Sequence, residues 1–347
     1  MSGQRSRQKD TNEFSRTVIG DIAERSGVSA TTVSRVLNGH RDVSAATRHK
    51  VMQHIHELGY VPQRSARSAT SLLGLMVPMF NGYFGKIMEG AYEALQGRNA
   101  QLIIGRTDNQ YEAEVPQVQQ LLSQNVNGIM FILPQETTED LFKLQNKGIP
   151  FIVTDPFSSL PDDIPVVMVE NISASMSAME HLLKLGHKRI GVITGPPHWG
   201  MTIDRLAGYY AVLAAANLPI DPALIREGRW TAESGAEVAD ALLALPQPPT
   251  AMFAFNDDMA IGAMHAIWKR GLRVPDDISV IGFDDALDNL PYAVPALTTV
   301  RQPLVEIGRL AIDVLYRMIQ HQPLEATHIK LSARLIVRDS TGPCKQP

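Results

Sequence analysis

Side chains able to hold a polar small molecule recur just beyond short apolar runs in this 347-residue chain. Asn81 and Tyr83 follow one such run, Asp155 follows Val153-Thr154, and His198 and Trp199 follow Thr194-Gly195. Asn256-Asp257-Asp258 and Asp284-Asp285 close two more, and Arg205 and Trp230 join them. Carboxylates and amides take hydroxyl groups, a guanidinium forks onto paired oxygens, and an indole covers an apolar face. The set suits holding a ligand more than breaking bonds. There is no glycine-rich nucleotide fingerprint, P-loop, His-Glu-x-x-His or Gly-x-Ser-x-Gly elbow, so no nucleophile and base can be named and an enzyme is not expected. His54 and His56 lack the additional ligands a metal site needs; neither a metal nor a cofactor is expected. Any one of these Asp or Asn residues suits a helix cap or turn, and only their recurrence at most run ends points to a site.

These residues need elements that bring them together. Apolar runs at 72–77, 101–105, 128–133, 151–154, 166–169, 189–194, 251–255 and 278–283 alternate with amphipathic stretches at 83–97, 112–124, 138–147, 173–185, 204–216, 232–245, 259–270 and 304–320. Strands alternating with helices predict doubly wound parallel sheets with right-handed crossovers. Ligands of such sheets sit beyond the carboxyl ends of the strands, where the candidate residues fall.

Residues 22–38 carry a different chemistry. A first helical pattern directs Ile22 and Ala23 inward and meets a second at Gly27, whose backbone permits a tight turn. Ser29 is placed to cap the second helix, which starts at about Ala30 and buries Val33, Val36 and Leu37. Ala30, Thr31, Ser34, Arg35 and Asn38 are left facing outward. Small hydroxyls, one Arg and one Asn suit a helix lying in a DNA major groove. A third helix, capped by Ser44, runs to Leu58 and stops at Gly59, making a small all-α unit.

Charge is unevenly divided. Residues 1–68 hold eleven Lys and Arg against six Asp and Glu, a net +5; the remainder holds 21 against 30, a net −9. A polyanion-binding module therefore belongs at the N-terminus. The single cysteine, Cys344, excludes an intramolecular disulfide framework, as suits a reducing cytoplasm. No apolar run approaches a membrane span, and the first sixteen residues lack an export stretch and read as a disordered basic arm. With 44% hydrophobic and 20% charged residues, two or three globular units are expected.

The ordered motifs resemble the lactose/galactose repressor (LacI/GalR) family over about residues 17–338. They are Asp21-Ile22-Ala23, Ser26-Gly27-Val28-Ser29, Thr32 to Gly39, Leu58-Gly59-Tyr60-x-Pro62, Leu185-Gly186-His187-Lys188-Arg189-Ile190, Asn256-Asp257-x-Met259-Ala260-x-Gly262, Pro275 to Asp285 and Leu297-Thr298-Thr299-Val300. The resemblance implies a headpiece at 17–61, a hinge at 62–71, an effector-binding and dimerisation core at 72–338, and a tail at 339–347. The core would be two periplasmic-binding-protein-like subdomains, 72–167 with 302–327 and 168–300 with 328–338. By position, Ala30, Thr31 and Arg35 would meet bases, while Thr32, Ser34 and Asn38 would hold phosphates. Arg64 and Ala69 fall in the DNA-contacting hinge. Asp155, Arg205, Trp230, Asn256 and Asp284 fall on effector positions, beside Asn81 and Tyr83 from the strand-end argument; that composition favours a carbohydrate over a purine.

The implied function is a cytoplasmic homodimeric repressor of carbohydrate use, bound to a near-palindromic operator and modulated by a sugar-like effector, with no membrane partner. An activator or a corepressor-dependent repressor, a sugar-binding protein and a Rossmann-like enzyme are the alternatives. Two positions depart from the family pattern. Ala69 stands where a hinge leucine wedges into the minor groove, with the linker about four residues short, so Leu72 is a possible substitute. Val18 stands where a capping threonine is usual.

Overall fold

The computed structural model describes residues 20–37, 43–57 and 70–345, except the side chains of Ser34, Leu37, Ala45, His56 and Glu57. The basic arm, Val18, Asn38, Gly59, Arg64, Ala69 and nearly all of the hinge lie outside the described residues. The chain divides into two compact units at Ala69/Thr70.

In the first unit, helix α1 (20–26), α2 (Ala30–Leu37) and α3 (Ala45–Glu57) close on Ile22, Ala23, Val33, Val36, Val51 and Ile55. Gly27, at φ +64°, supplies the left-handed turn between α1 and α2. The Ser29 hydroxyl accepts the Thr32 N–H at 3.1 Å, and Ser44 accepts that of Thr47 at 3.1 Å, so each of the two later helices begins on a serine cap.

The second unit contains two six-stranded sheets. In chain order its elements are β1 (Ser71–Val77), α4 (Gly82–Ala94), β2 (Ala100–Arg106), α5 (Tyr111–Ser123), β3 (Gly128–Ile132), α6 (Thr138–Asn146), β4 (Phe151–Thr154), β5 (Val166–Val169), α7 (Asn171–Lys184) and β6 (Ile190–Thr194). There follow α8 (Gly200–Ala215), β7 (Ile225–Glu227), α9 (Ala232–Leu243), β8 (Ala251–Ala254), α10 (Asp257–Lys269), β9 (Ser279–Asp284), β10 (Thr298–Arg301), α11 (Leu304–Ile319), β11 (His328–Leu331) and β12 (Arg334–Ile336). The sheet orders are β11-β5-β4-β3-β1-β2 and β12-β10-β9-β8-β6-β7, parallel except for β12 against β10. Central strands β3, β4, β6, β8 and β9 are buried along their whole length, because helices cover both faces of each sheet. Helices α4 and α11 pack so closely that a Cβ on Gly90 would collide with the Val305 backbone, and one on Gly308 with that of Ile87. The polypeptide passes between the sheets three times: after β5, after β10, and between β11 and β12.

Three expected boundaries move. Residues 328–331, assigned to the second subdomain, form β11 and pair in parallel with β5 in the first sheet, so the last crossover falls after Leu331. Residues 168–169 likewise belong to β5 and the first sheet, which extends that pairing. Ser71, assigned to the hinge, begins β1 opposite Ala100. Leu72 is also in β1, its N–H held by Asn127 Oδ1 at 2.8 Å, so using it as a minor-groove wedge would require opening the strand. Strands β7, β10, β11 and β12 were absent from the sequence reading. Residues 340–345 are pinned to the second sheet's unit: Ser340 Oγ donates to the Val280 carbonyl at 2.6 Å, and Cys344 N–H reaches the Leu185 carbonyl at 2.8 Å.

Candidate functional site

A cavity of about 200 Å³ opens between the two sheets, at the carboxyl ends of their strands. All seven expected effector residues, Asn81, Tyr83, Asp155, Arg205, Trp230, Asn256 and Asp284, line it. Two of them are committed to local structure. Asn81 caps α4 by accepting the Phe84 N–H at 3.1 Å. Asn256 caps α10 through Met259 N–H at 2.9 Å and donates from Nδ2 to the Trp230 carbonyl at 3.0 Å, fixing the loop that carries the indole.

Trp230 supplies an indole face, and the other four form an electrostatic group. Tyr83 O–H donates to Asp155 Oδ2 at 2.6 Å. Burial and the neighbouring Asp155 raise the phenol well above its ordinary value, so it stays a donor. Burial also raises Asp155, against the opposing pull of the Tyr83 bond and Arg205. Arg205, 3% exposed, donates from Nε to Asn171 Oδ1 at 2.9 Å and from Nη1 to the Phe255 carbonyl, while its guanidinium lies 3.6 Å from the Phe283 ring centroid. Its Nη2 stands 3.9 Å from Asp284 Oδ1, the oxygen that also accepts Gln302 Nε2 at 2.6 Å. Burial pushes Asp284 up to about 7, against Arg205 and Gln302, with Asp258 and Asp155 adding to the rise.

Backbone strain gathers at the same place. Of ten non-glycine residues with positive φ among the described residues, five line the cavity: Asn109 (φ +55°), Leu133 (+53°), Asp155 (+48°), Trp230 (+62°) and Asp284 (+119°). Such conformations cost of order 1–3 kcal/mol each and persist where the surroundings dictate them.

Other strand-end candidates divide. Trp199 and Asp258 line the cavity; His198, Asp257 and Asp285 do not. Asp257 is buried and accepts Thr299 Oγ1 and Ala286 N–H, bracing the loop after β9. Asp285 is held by Arg301 at 2.6 Å and Arg338 at 2.8 Å. A larger cavity, about 490 Å³, lies beyond Gln302, but its charges are already paired, Lys86 with Asp288 at 2.9 Å, Asp285 with Arg301 and Arg338, and Glu306 with Arg309. The smaller cavity, with unpaired acceptors and aromatic walls, is the better ligand site. Sequence reading missed Asn109, Met79, Leu133, Met201 and Thr231 in its lining. Asn109 follows β2, a strand expected from the run at 101–105, but no candidate was named at that strand's end.

On α2, Ala30, Thr31 and Arg35 are exposed, while Val33 and Val36 are buried. Thr32 is half-buried, and its hydroxyl shares a 2.9 Å hydrogen bond with Ser29 as part of the cap. Among the described residues no cluster of His, Cys, Asp and Glu could hold a metal, and no helix is long and apolar enough to cross a membrane.

Residues 18–63 match the family model of bacterial regulatory proteins of the lacI family, and residues 179–341 match that of the periplasmic binding protein-like domain. The chain is 32% identical to the HTH-type transcriptional repressor CytR of Escherichia coli (strain K12) over 327 residues, 92% of this chain and 95% of that protein. Its structure is similar to a transcriptional regulator CelR–cellobiose complex, with TM-score 0.72 and 30% identity over 93% of this chain and 99% of that one. It is also similar to a lac repressor dimer bound to operator and the anti-inducer ONPF, with TM-score 0.70 and 32% identity over 93% and 98% of the two chains. The chain belongs to the lacI family and is a DNA-binding transcriptional regulator, not an enzyme.

Proposed function

We propose that this regulator represses genes of carbohydrate use, acting in the cytoplasm as a homodimer on a near-palindromic operator, and that a sugar-like effector held in the cleft modulates its hold on DNA. One observation carries the effector half of this reading: seven residues scattered from Asn81 to Asp284 converge on one cavity between two sheets. Buried carboxylates, a guanidinium and indole faces together match the hydroxyls and the apolar face of a sugar ring. The cellobiose complex of a structurally similar regulator supports the same ligand class.

For the DNA half, exposed Ala30, Thr31 and Arg35 are the base-reading side chains of α2, with Thr32, Ser34 and Asn38 on phosphates and Arg64 and Ala69 adding hinge contacts. A headpiece with one helix per groove gains affinity by pairing, hence the dimer on two half-sites about one helical turn apart. By linkage, a sugar that binds the DNA-free form better lowers operator affinity by the same factor, typically about 1 to 3 kcal/mol.

Operator mobility shift with a sugar panel tests the reading. One sugar is expected to release the operator at a concentration where others do not. A panel that leaves the shift unchanged throughout contradicts the proposal.

A further inference from the structure

The chemical class of the effector can be narrowed from the hydrogen-bonding balance of the cavity, an inference resting on the effector reading above. Acceptors are in excess. Asp258, half-buried in the lining, receives no side-chain hydrogen bond or ion pair from the described residues, and burial raises its pKa. Asn109 Oδ1 is buried without a partner. Asp155 and Asp284 each have one oxygen engaged, Oδ2 with Tyr83 and Oδ1 with Gln302; their other oxygens accept nothing from the described residues.

Donors are few. Arg205 is spent on Asn171, the Phe255 carbonyl and the Phe283 ring, with one edge toward Asp284. Arg229 is exposed and pairs with Glu237 at 2.8 Å. Tyr83 gives its proton to Asp155 and Asn256 gives one to the Trp230 carbonyl. Trp230 Nε1 is buried without an acceptor, and the only other uncommitted side-chain donors among the described residues of the lining are neutral: the Asn81 and Asn109 amides and the Thr231 hydroxyl.

Charge and walls lean the same way. Three carboxyl groups, Asp155, Asp258 and Asp284, share the cavity with one buried guanidinium. Burial is the main cause of the rise of Asp284 to about 7, and the neighbouring Asp258 and Asp155 add to it. Trp199 and Trp230 stand 5.5 Å apart, with Phe157 edge-on to Trp199 at 4.5 Å. Indole faces attract cations.

A neutral hydroxyl brings one hydrogen and two lone pairs; a phosphate or carboxylate brings lone pairs and a repelled charge. An ammonium brings three hydrogens, no lone pair and the missing positive charge. Trp230 Nε1 still calls for a ligand oxygen. We propose that the effector is an amino-bearing sugar, a cationic polyol whose ammonium pairs with Asp258 and whose oxygens meet Trp230 and Arg205.

The test is tryptophan-fluorescence titration of the full-length protein at neutral pH, since Trp199 and Trp230 report on the cavity. The probes are glucosamine, galactosamine and mannosamine, each beside its parent hexose, its N-acetyl form and its 6-phosphate. One amine is expected to bind about tenfold or more tightly than its parent and N-acetyl counterparts, the scale of a charge-assisted bond. Asp258→Asn, which preserves size, is expected to bring that amine down to its parent's affinity. In the unmodified protein, acidification that protonates the cavity carboxyls is expected to weaken the amine more than the parent sugar, a second readout needing no variant. A parent, N-acetyl or phosphorylated sugar binding as tightly as its amine overturns the proposal and leaves the sugar reading standing, as does a preference that survives Asp258→Asn. Silence from all four classes overturns the sugar reading itself.

Discussion

The two walls of the cleft are built on sheets of the same strand order, yet they carry different loads. The first wall offers Met79, Tyr83, Asn109, Leu133 and one carboxyl, Asp155, already engaged by Tyr83. The second offers Arg205, Asp258, Asp284 and Trp230, with the guanidinium braced by Asn171 and the Phe255 carbonyl. The scaffold fixes where a ligand goes, and side chains at the strand ends fix which ligand. On this account the second wall anchors the effector and the first shapes it.

The largest effect is expected where the second wall loses its cation. Arg205→Ala leaves Asp284 and Asp155 without their counter-charge and strands Asn171 Oδ1 and the Phe255 carbonyl. Removing one member of a buried charged group costs about 3–5 kcal/mol, to be read from chemical unfolding of the core. An unfolding midpoint unchanged from wild type would mean the guanidinium is not the brace of that wall.

Behind the first wall, Glu114 is 1% exposed, accepts the Gln135 N–H at 3.0 Å, and is pushed by burial up to about 7. Its folded pKa lies above its unfolded value, so the stability associated with the neutral form is greatest near the ordinary carboxylate range and declines as pH rises toward about 7. The decline is on the order of 3 kcal/mol for a shift of this size. Glu114→Gln is expected to flatten it in denaturant titrations across that window; an unchanged slope would assign the pH dependence elsewhere.

A smaller effect should separate the walls directly. Tyr83→Phe removes the donor to Asp155 and costs about 1–2 kcal/mol of stability. Effector affinity is expected to fall less than in Arg205→Ala. Equal losses by calorimetry would erase the distinction between anchoring and shaping. Smallest is the acid-side response of the second sheet. His187, 2% exposed, is bonded to Thr250 at 3.0 Å and to Ser279 at 3.1 Å, and burial lowers its pKa. A buried neutral imidazole makes the fold less stable as pH falls below the ordinary histidine value. His187→Gln should remove that sensitivity in thermal melts, opposite in sign to the Glu114 effect.

Much of this was legible in sequence because periodicity reports burial. Fully buried runs such as Gly128–Ile132 and Phe151–Thr154 stand out as central strands, and Asn81, Tyr83, Asp155, Asn256 and Asp284 follow from the rule that parallel sheets bind at their carboxyl ends, whereas Arg205, within a helix, and Trp230, after the short strand β7, rest on the family resemblance. Edge elements were harder. His328–Leu331 and Arg334–Ile336 are short and partly exposed, so their alternation is weak and their sheet membership rests on pairing with distant partners. Asn109 escaped because it lies three residues past the end of β2, in a turn of two positive-φ residues, Asp108 and Asn109, whose Asp and Asn suit a turn as well as a site. Nothing local marks Asp258 as the carboxylate left without a partner, since that depends on where Arg205 spends its hydrogens.

The central claim is that the cleft governs DNA binding through a ligand held by Arg205 and Asp284. The most direct test is operator affinity of wild type, Arg205→Ala and Asp284→Ala, each with and without the sugar that releases the wild type. Both variants are expected to bind operator as wild type does without the sugar and to stay bound in its presence. Release of both at wild-type sugar concentrations would contradict the account and place the effector elsewhere.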